Sequence, residues 1–245
     1  MEKILFLRSD KTVIRDGNRI IKMFSGDYSK ADVLNEALNQ ARVEETNLKI
    51  PTVYEVTKRD GKWAIISEYI EGKTLRALMD ENPEKKSEYL DYFIDLQRKI
   101  HEEKCPLLIR LRDKLRRKIA ETEIEATIRY DLIDRLERMP MHYKVCHGDF
   151  NPSNVLITAE GEPYIVDWAH ATQGCASADV AYSYLLLCQT DGEEFAEQYL
   201  DRYSEQSKTE KEYIKRWIPI VACANLARNR AIDRKMFSEW ARVSE

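Results

Sequence analysis

Three polar residues fall at spacings that suit metal-assisted chemistry. Asp149 lies in His147-Gly148-Asp149-Phe150-Asn151-Pro152, Asn154 follows five residues later, and Asp167 closes the apolar run Tyr164-Ile165-Val166. Residues 154–158 and 163–167 read as two short buried strands. The four residues Ala159-Glu160-Gly161-Glu162 between them read as a hairpin loop. That register pairs Thr158 with Pro163, Leu156 with Ile165 and Asn154 with Asp167, and a proline is tolerated at a strand start. It sets an amide oxygen beside a carboxylate at the open end of the hairpin, with Asp149 on the loop leading in. Hard oxygen ligands of this kind suit Mg²⁺, which keeps several waters and binds substrate phosphates. A buried hairpin with incidental acids would need all three residues to meet these spacings by chance.

The same residues resemble the catalytic core of a kinase. Protein kinases carry H-R-D-x-x-x-x-N and a later D-F-G whose aspartate binds metal. Here His147-Gly148-Asp149 stands with Asn154 at the same offset, and Asp167-Trp168-Ala169 takes the place of D-F-G. His-Gly-Asp followed by Asn-Pro-x-Asn is similar to the aminoglycoside phosphotransferase and choline kinase family of small-molecule kinases. The resemblance is strongest over residues 145–187 and extends over the whole chain.

It implies an α+β, bilobal protein-kinase-like fold. Residues 1–70 would be a nucleotide-binding lobe with a small antiparallel sheet and one helix. Residues 71–245 would be a larger, mainly helical lobe containing the catalytic β-hairpin and binding the substrate. The implied activity is Mg²⁺-dependent transfer of the γ-phosphate of ATP or GTP to a hydroxyl of a small molecule that can be cationic, such as an aminoglycoside, choline or an amino alcohol. Asp149 would orient that hydroxyl and accept its proton. Asn154 and Asp167 would hold the metal, while His147 and Asp179 would support the catalytic loop.

Positioning these groups requires a first lobe of strands. Residues 4–8, 12–15 and 19–24 read as three strands, with Asp16-Gly17-Asn18 a turn between the second and third. The turn Ser9-Asp10-Lys11 has no glycine, unlike the Gly-rich loop of protein kinases. By resemblance Ser9 would reach a phosphate; an ordinary hairpin turn has equal weight. Lys22 lies among apolar residues on the third strand, where a buried ammonium needs a partner. By resemblance it contacts the α- and β-phosphates; the alternative is a solvent-facing edge lysine.

Ser29-Lys30-Ala31-Asp32 is a capping-box signature for a helix running to about residue 45. Val33, Leu34, Ala37, Leu38 and Ala41 mark its apolar stripe. By resemblance Glu36 pairs with Lys22, although it lies off that stripe and Glu44 is a rival. A second hairpin, 52–57 with 62–67, leads into Glu68-Tyr69-Ile70-Glu71-Gly72. By resemblance this is the hinge, with the Glu68 carbonyl and the Ile70 amide receiving adenine.

The rest reads as helices over about 87–103, 107–138, 178–203, 208–229 and 233–242. Asp179 opens one of them and can accept N–H bonds from its own helix start. The acids Glu193, Glu194, Glu197, Asp201 and Glu205 suit a polycation or a solvated face equally. Tyr182, Tyr184, Tyr213, Trp217 and Trp240 could cage a quaternary ammonium or simply be core.

Composition narrows the function classes. The chain has 245 residues and a net charge of −4, which argues against an extended nucleic-acid surface. No apolar run reaches membrane-spanning length, and the amino terminus is too short for a signal peptide, so a cytoplasmic location is expected. Five cysteines without a C-x-x-C pair read as reduced thiols. The oligomeric state is open. Two rival functions share the core: a protein-kinase-like regulator, and a non-catalytic nucleotide-binding protein. Only about ten residues separate Asp167 from the helix expected at Ala178, too few for a long activation segment.

Overall fold

The computed structural model describes residues 2–7, 10–227 and 233–242. The chain forms two compact units, Met1–Pro83 with Pro152–Ala171, and Glu84–Asn151 with Thr172–Glu245. A single break at residue 70 was expected. The first unit instead continues to Pro83 and takes the hairpin with it.

The first unit opens with β1 (Lys3–Leu7), β2 (Lys11–Asp16) and β3 (Arg19–Phe24). Helix α1 (Lys30–Val43) follows, then β4 (Val53–Arg59) and β5 (Lys62–Glu68), completing an antiparallel sheet in the order β1-β2-β3-β5-β4. Ser29 caps α1 by accepting the Asp32 N–H at 3.1 Å. Phe24, Ile65, Val33 and Ala37 form the core between sheet and helix. The buried face of α1 differs from the expected stripe: Leu34, Leu38 and Ala41 are exposed, while Val33, Ala37 and Val43 are buried. Val33, Glu36, Ala37, Gln40 and Val43 recur at spacings of three and four, so Glu36 shares the face turned to the sheet.

After β5, the two-residue β6 (Lys73–Thr74) leads into α2 (Leu75–Glu81). The second unit then begins with α3 (Lys86–Glu102), α4 (Leu111–Ala120), α5 (Ala126–Arg138) and β7 (Lys144–Cys146). The chain returns to the first unit through β8 (Val155–Ile157) and β9 (Pro163–Ile165), which join β6 in the order β6-β8-β9.

The β8–β9 register corrects the expectation by one residue. Val155 faces Ile165, Leu156 faces Tyr164 and Ile157 faces Pro163. The Thr158 N–H donates to the Glu162 carbonyl at 3.0 Å, and the Gly161 N–H to the Thr158 carbonyl at 3.0 Å. The loop is therefore Ala159-Glu160-Gly161, with Gly161 left-handed at φ 81°. This is the three-residue connection that ends in a left-handed glycine. Asn154 consequently lies opposite Val166, whose N–H donates to the Asn154 carbonyl at 3.0 Å. Asp167 is one residue beyond the pair, at φ 64°, ψ 57°.

The second unit resumes with β10 (Thr172–Gly174), which pairs antiparallel with β7. Then come α6 (Ala176–Asp191), α7 (Glu193–Ser207), α8 (Lys211–Lys215), α9 (Ile218–Leu226) and α10 (Arg234–Ala241). Helices α6 and α9 are buried nearly all round, as expected of helices apolar on every face.

The single helix expected over 178–203 is broken at Gly192, whose φ of 89° and ψ of 162° lie where side chains are not tolerated. Gly192→Ala is expected to lower unfolding stability by about 1–3 kcal/mol. No atom lies within 4 Å of a Cβ built there, so the loss measured by urea titration reports backbone strain alone. The helix expected over 208–229 is two helices, and its last two residues lie outside the described set. Among the described residues no helix is long and apolar enough to cross a membrane. None of the five cysteines is in a disulfide, and all but Cys188 are buried. Burial raises the Cys146 thiol well above its ordinary range, which fits a core residue and not a nucleophile.

Candidate active site

The first unit gathers a compact charged cluster. Lys22 leaves β3 on the face that also carries Phe24, and meets Glu36 of α1 in a close ion pair. Its ammonium also donates to Asp167 Oδ1 at 3.0 Å. Glu36, and not Glu44, is thus the partner of Lys22. Glu44 instead accepts the Val53 N–H at 2.8 Å and fastens the end of α1 to β4.

A second cation completes the cluster. Lys11 Nζ stands 3.8 Å from Asp167 Oδ2. The sequence reading passed over it, although the register carries the signal. Lys11 faces Phe24 and Val13 faces Lys22 across β2 and β3, so Lys11 and Lys22 share one face of the sheet.

The charges decide the protonation states. Burial alone would raise the Asp167 carboxyl, but Lys22 and Lys11 outweigh it and hold the group far below the ordinary carboxylate range. Burial alone would lower the Lys22 ammonium, and Asp167 with Glu36 raise it instead. Burial, seconded by Lys22, lowers Lys11. Asp167 is therefore an anion, with its side chain 29% exposed and able to meet a ligand.

Local structure holds Asp167 in place. The following turn, Trp168–His170, is pinned by the Trp168 indole N–H to the Ile165 carbonyl at 3.0 Å. The buried Asn39 amide of α1 donates to the Ala169 carbonyl at 3.1 Å. A left-handed aspartate is strained, and such strain collects at functional sites. Asn154 ends the turn Pro152–Asn154 at the start of β8. Among the described residues no three His, Cys, Asp or Glu side chains are grouped as a metal cage. An ionised Asp167 and the amide oxygen of Asn154 are nonetheless the hard donors Mg²⁺ takes, because it binds through one or two carboxylates and relies on phosphates and water for the rest. In the segment 68–70, expected to be the hinge, the Glu68 N–H donates to the Thr52 carbonyl at 2.9 Å and the Tyr69 N–H to the Asn18 carbonyl at 2.9 Å, and Ile70 is buried. Ser9 lies outside the described residues.

The second unit holds the loop that carries His147 and Asp149. Asp179 of α6 accepts the His147 N–H at 3.1 Å, the Gly148 N–H at 2.7 Å and His101 Nε2 at 3.0 Å. Burial would raise this carboxyl, but His101 and the loop outweigh it and lower it. His101 Nδ1 is 2.9 Å from the Tyr203 hydroxyl. His147 Nδ1 accepts the Asp149 N–H at 3.2 Å, and the Asn151 amide donates to the Asp149 carbonyl at 3.0 Å. Asp149 is 4% exposed.

A second buried chain was not foreseen. The Ser183 hydroxyl donates to the Phe150 carbonyl at 2.8 Å, Gln97 donates to Ser183 at 3.1 Å, and Tyr199 donates to Gln97. Polar residues on otherwise apolar helix faces were its only sequence signal.

Of the two groups that suited either a cationic acceptor or an ordinary structural role, several members have structural partners. Glu197 and Asp201 are paired with Lys211, and Glu197 also accepts from Tyr184 at 2.8 Å. Tyr184 packs edge-on to Trp240 and Tyr182 edge-on to Phe237, so these rings knit α6 to α10 as core. After Asp167 the chain passes through one turn and β10 into α6 at Ala176, leaving no length for an activation segment.

The family model described as the phosphotransferase enzyme family matches residues 8–214. The chain belongs to this family. Among solved structures, the apo form of a thermostable mutant of aminoglycoside phosphotransferase APH(4)-Ia matches with a TM-score of 0.70 and 16% identity, covering 98% of this chain and 91% of that one. A choline/ethanolamine kinase family protein from Mesorhizobium loti matches with a TM-score of 0.60 and 15% identity, covering 99% and 86%. Choline kinase LicA from Streptococcus pneumoniae matches with a TM-score of 0.62 and 16% identity, covering 100% and 87%. These likenesses show the bilobal kinase-like fold of the phosphotransferase family. A comparison with curated proteins finds no match.

Proposed function

We propose that this phosphotransferase-family protein moves the γ-phosphate of a purine nucleoside triphosphate, with Mg²⁺, to a hydroxyl of a small molecule. The observation that carries the reading is the Lys22–Glu36–Asp167 cluster in the first unit. Membership of the family supports it, and one neighbour of the same fold is an aminoglycoside phosphotransferase in a ternary complex with AMP-PNP and hygromycin B.

Lys22 steadies the α- and β-phosphates, and Glu36 holds its ammonium in place. The Glu68 carbonyl and the Ile70 amide receive the purine, and Ser9 is assigned a phosphate contact. Asp167 and Asn154 would hold Mg²⁺, which would supply positive charge to offset that of the phosphates. Asp149 orients the acceptor hydroxyl and takes its proton as the new O–P bond forms and the β–γ bridging P–O bond breaks. His147 and Asp179 keep the loop carrying Asp149 in shape. All the nucleotide and metal assignments fall in the first unit, and Asp149, His147 and Asp179 in the second. Nucleotide binding and proton transfer are accordingly separable by mutation.

The direct test is nucleotide consumption by the purified protein with ATP or GTP and Mg²⁺, over aminoglycosides, choline, ethanolamine, other amino alcohols and sugars. Acceptor-dependent formation of the nucleoside diphosphate is expected. Nucleotide-induced stabilisation with no turnover on any acceptor would favour a non-catalytic nucleotide-binding protein instead. Lys22→Ala is expected to weaken nucleotide binding at least tenfold, about 1.4 kcal/mol. Calorimetric titration with a non-hydrolysable nucleotide reads this, and unchanged affinity would remove Lys22 from the phosphate site.

A further inference from the structure

A cavity of about 870 Å³ opens in the second unit, between the 104–110 segment, the start of α4 and the outer end of the β7–β10 pair. Four cations line it, Lys104, Arg110, Lys114 and Arg117, against a single acid, Asp113. This local excess of positive charge stands out in a chain whose net charge is −4. Lys104 and Arg110 have no carboxylate within 4.0 Å among the described residues, and Arg117 only touches Glu121 at 3.8 Å. Apolar surface is interleaved with the charge: Leu107 is 69% exposed and Tyr143 50%.

The wall is built and not a loose loop. The Gln173 side chain donates to the carbonyls of Pro106 at 2.8 Å and Leu108 at 2.5 Å, and its N–H to the Ile109 carbonyl at 2.9 Å. Leu108 is buried beneath it. A Cβ on Gly174 would stand 2.4 Å from Leu111 Cβ, so the segment also fits closely against β10.

The site is distinct from the catalytic loop. Thr172 pairs with Cys146 at the end of β7 that runs into His147, while Gly174 pairs with Lys144 at the opposite end. Tyr143 lies beyond that end, about 13 Å of extended chain from His147 at about 3.3 Å per residue.

We propose that this cleft binds a small amphipathic anion, a phosphate or carboxylate head on an aromatic or aliphatic body. Its volume suits a small organic ligand. The cations meet the head, and Leu107 and Tyr143 are covered by the body. The assignment is independent of the phosphotransfer reading.

The test is calorimetric titration of the full chain with phenyl phosphate, with phenol as the neutral control. Saturable binding that weakens as salt rises is expected, with none for phenol. The double variant Lys104→Glu/Arg110→Glu should weaken it at least tenfold, and Lys22→Ala should leave it unchanged, which separates this cleft from the nucleotide site. Both changed cleft residues are exposed, and circular dichroism checks that the variant folds. No saturable binding, full affinity in the double variant, or loss in Lys22→Ala would each overturn the proposal.

Discussion

Asp149→Asn is expected to lower kcat by about 10²–10⁴, the usual worth of a positioned general base. The amide keeps the size of the carboxylate but cannot take the acceptor's proton. The bonds to His147 and Asn151 use the Asp149 N–H and carbonyl, which the change leaves in place. Affinity for the nucleotide should be unaltered, since Lys22, Asn154 and Asp167 all belong to the other unit. Steady-state kinetics with calorimetric nucleotide binding on the same preparation separates the two effects. A variant with parental kcat would remove Asp149 as proton acceptor. Loss of nucleotide affinity along with kcat would mean that the two units do not divide the work as assigned.

Much of this site was legible because it lies in one short stretch. The offsets among His147, Asp149, Asn154 and Asp167 are fixed along the chain, and any fold that keeps the loop and hairpin keeps them near one another in sequence. The hairpin register was missed by one residue for a local reason. Gly161 and Glu162 were both placed in the loop, whereas a left-handed Gly161 closes a three-residue turn and returns Glu162 to the strand. That slip moves Asn154 from opposite Asp167 to opposite Val166. Asp167 is then aimed by its own left-handed backbone and the turn behind it.

The charged cluster was half legible. Lys22 on an apolar strand needs a counter-charge, but choosing Glu36 over Glu44 required knowing which face of α1 meets the sheet. Counting Leu34 and Leu38 as core rotated that face away from Glu36, and in the structure both leucines are exposed. Propensity and periodicity rank residues by hydrophobicity, and a helix packed on a sheet need not bury its most apolar side. Lys11 was not recoverable from a three-residue turn Asp16-Gly17-Asn18, which would set Thr12 opposite Lys22; the loop is Gly17-Asn18, pairing Asp16 with Arg19 and placing Lys11 on the face of Lys22. The break at Gly192 was the harder case: α6 and α7 are both strong helices, and only the φ of one glycine separates them. The buried chain from Tyr199 through Gln97 and Ser183 to Phe150 joins residues 33 to 102 positions apart. No local rule places such residues together.

Asp179→Asn is expected to cost about 1.5–3 kcal/mol of stability, the scale of a hydrogen bond to a charged group. At about 2–4 °C per kcal/mol for a chain of this size, Tm should fall by roughly 3–12 °C. The carboxylate receives three donors, the His147 and Gly148 amides and the His101 imidazole. An asparagine supplies only one acceptor oxygen and turns an N–H₂ toward the remaining donors. The same contacts set a dependence on pH. Burial opposes ionisation of Asp179, but its partners prevail and hold the folded pKa below the unfolded value. The stability it contributes is therefore fully present above the unfolded aspartate pKa of about 3.9, and is lost as pH falls through the lower folded value. Unfolding free energy of the parent should decline in that acid window more steeply than that of Asp179→Asn, with the two curves converging toward low pH. The readout is urea titration from about pH 7 down to pH 3 on both proteins. Parallel curves would mean that Asp179 is not held as the anion on which the His147–Asp149 loop is hung.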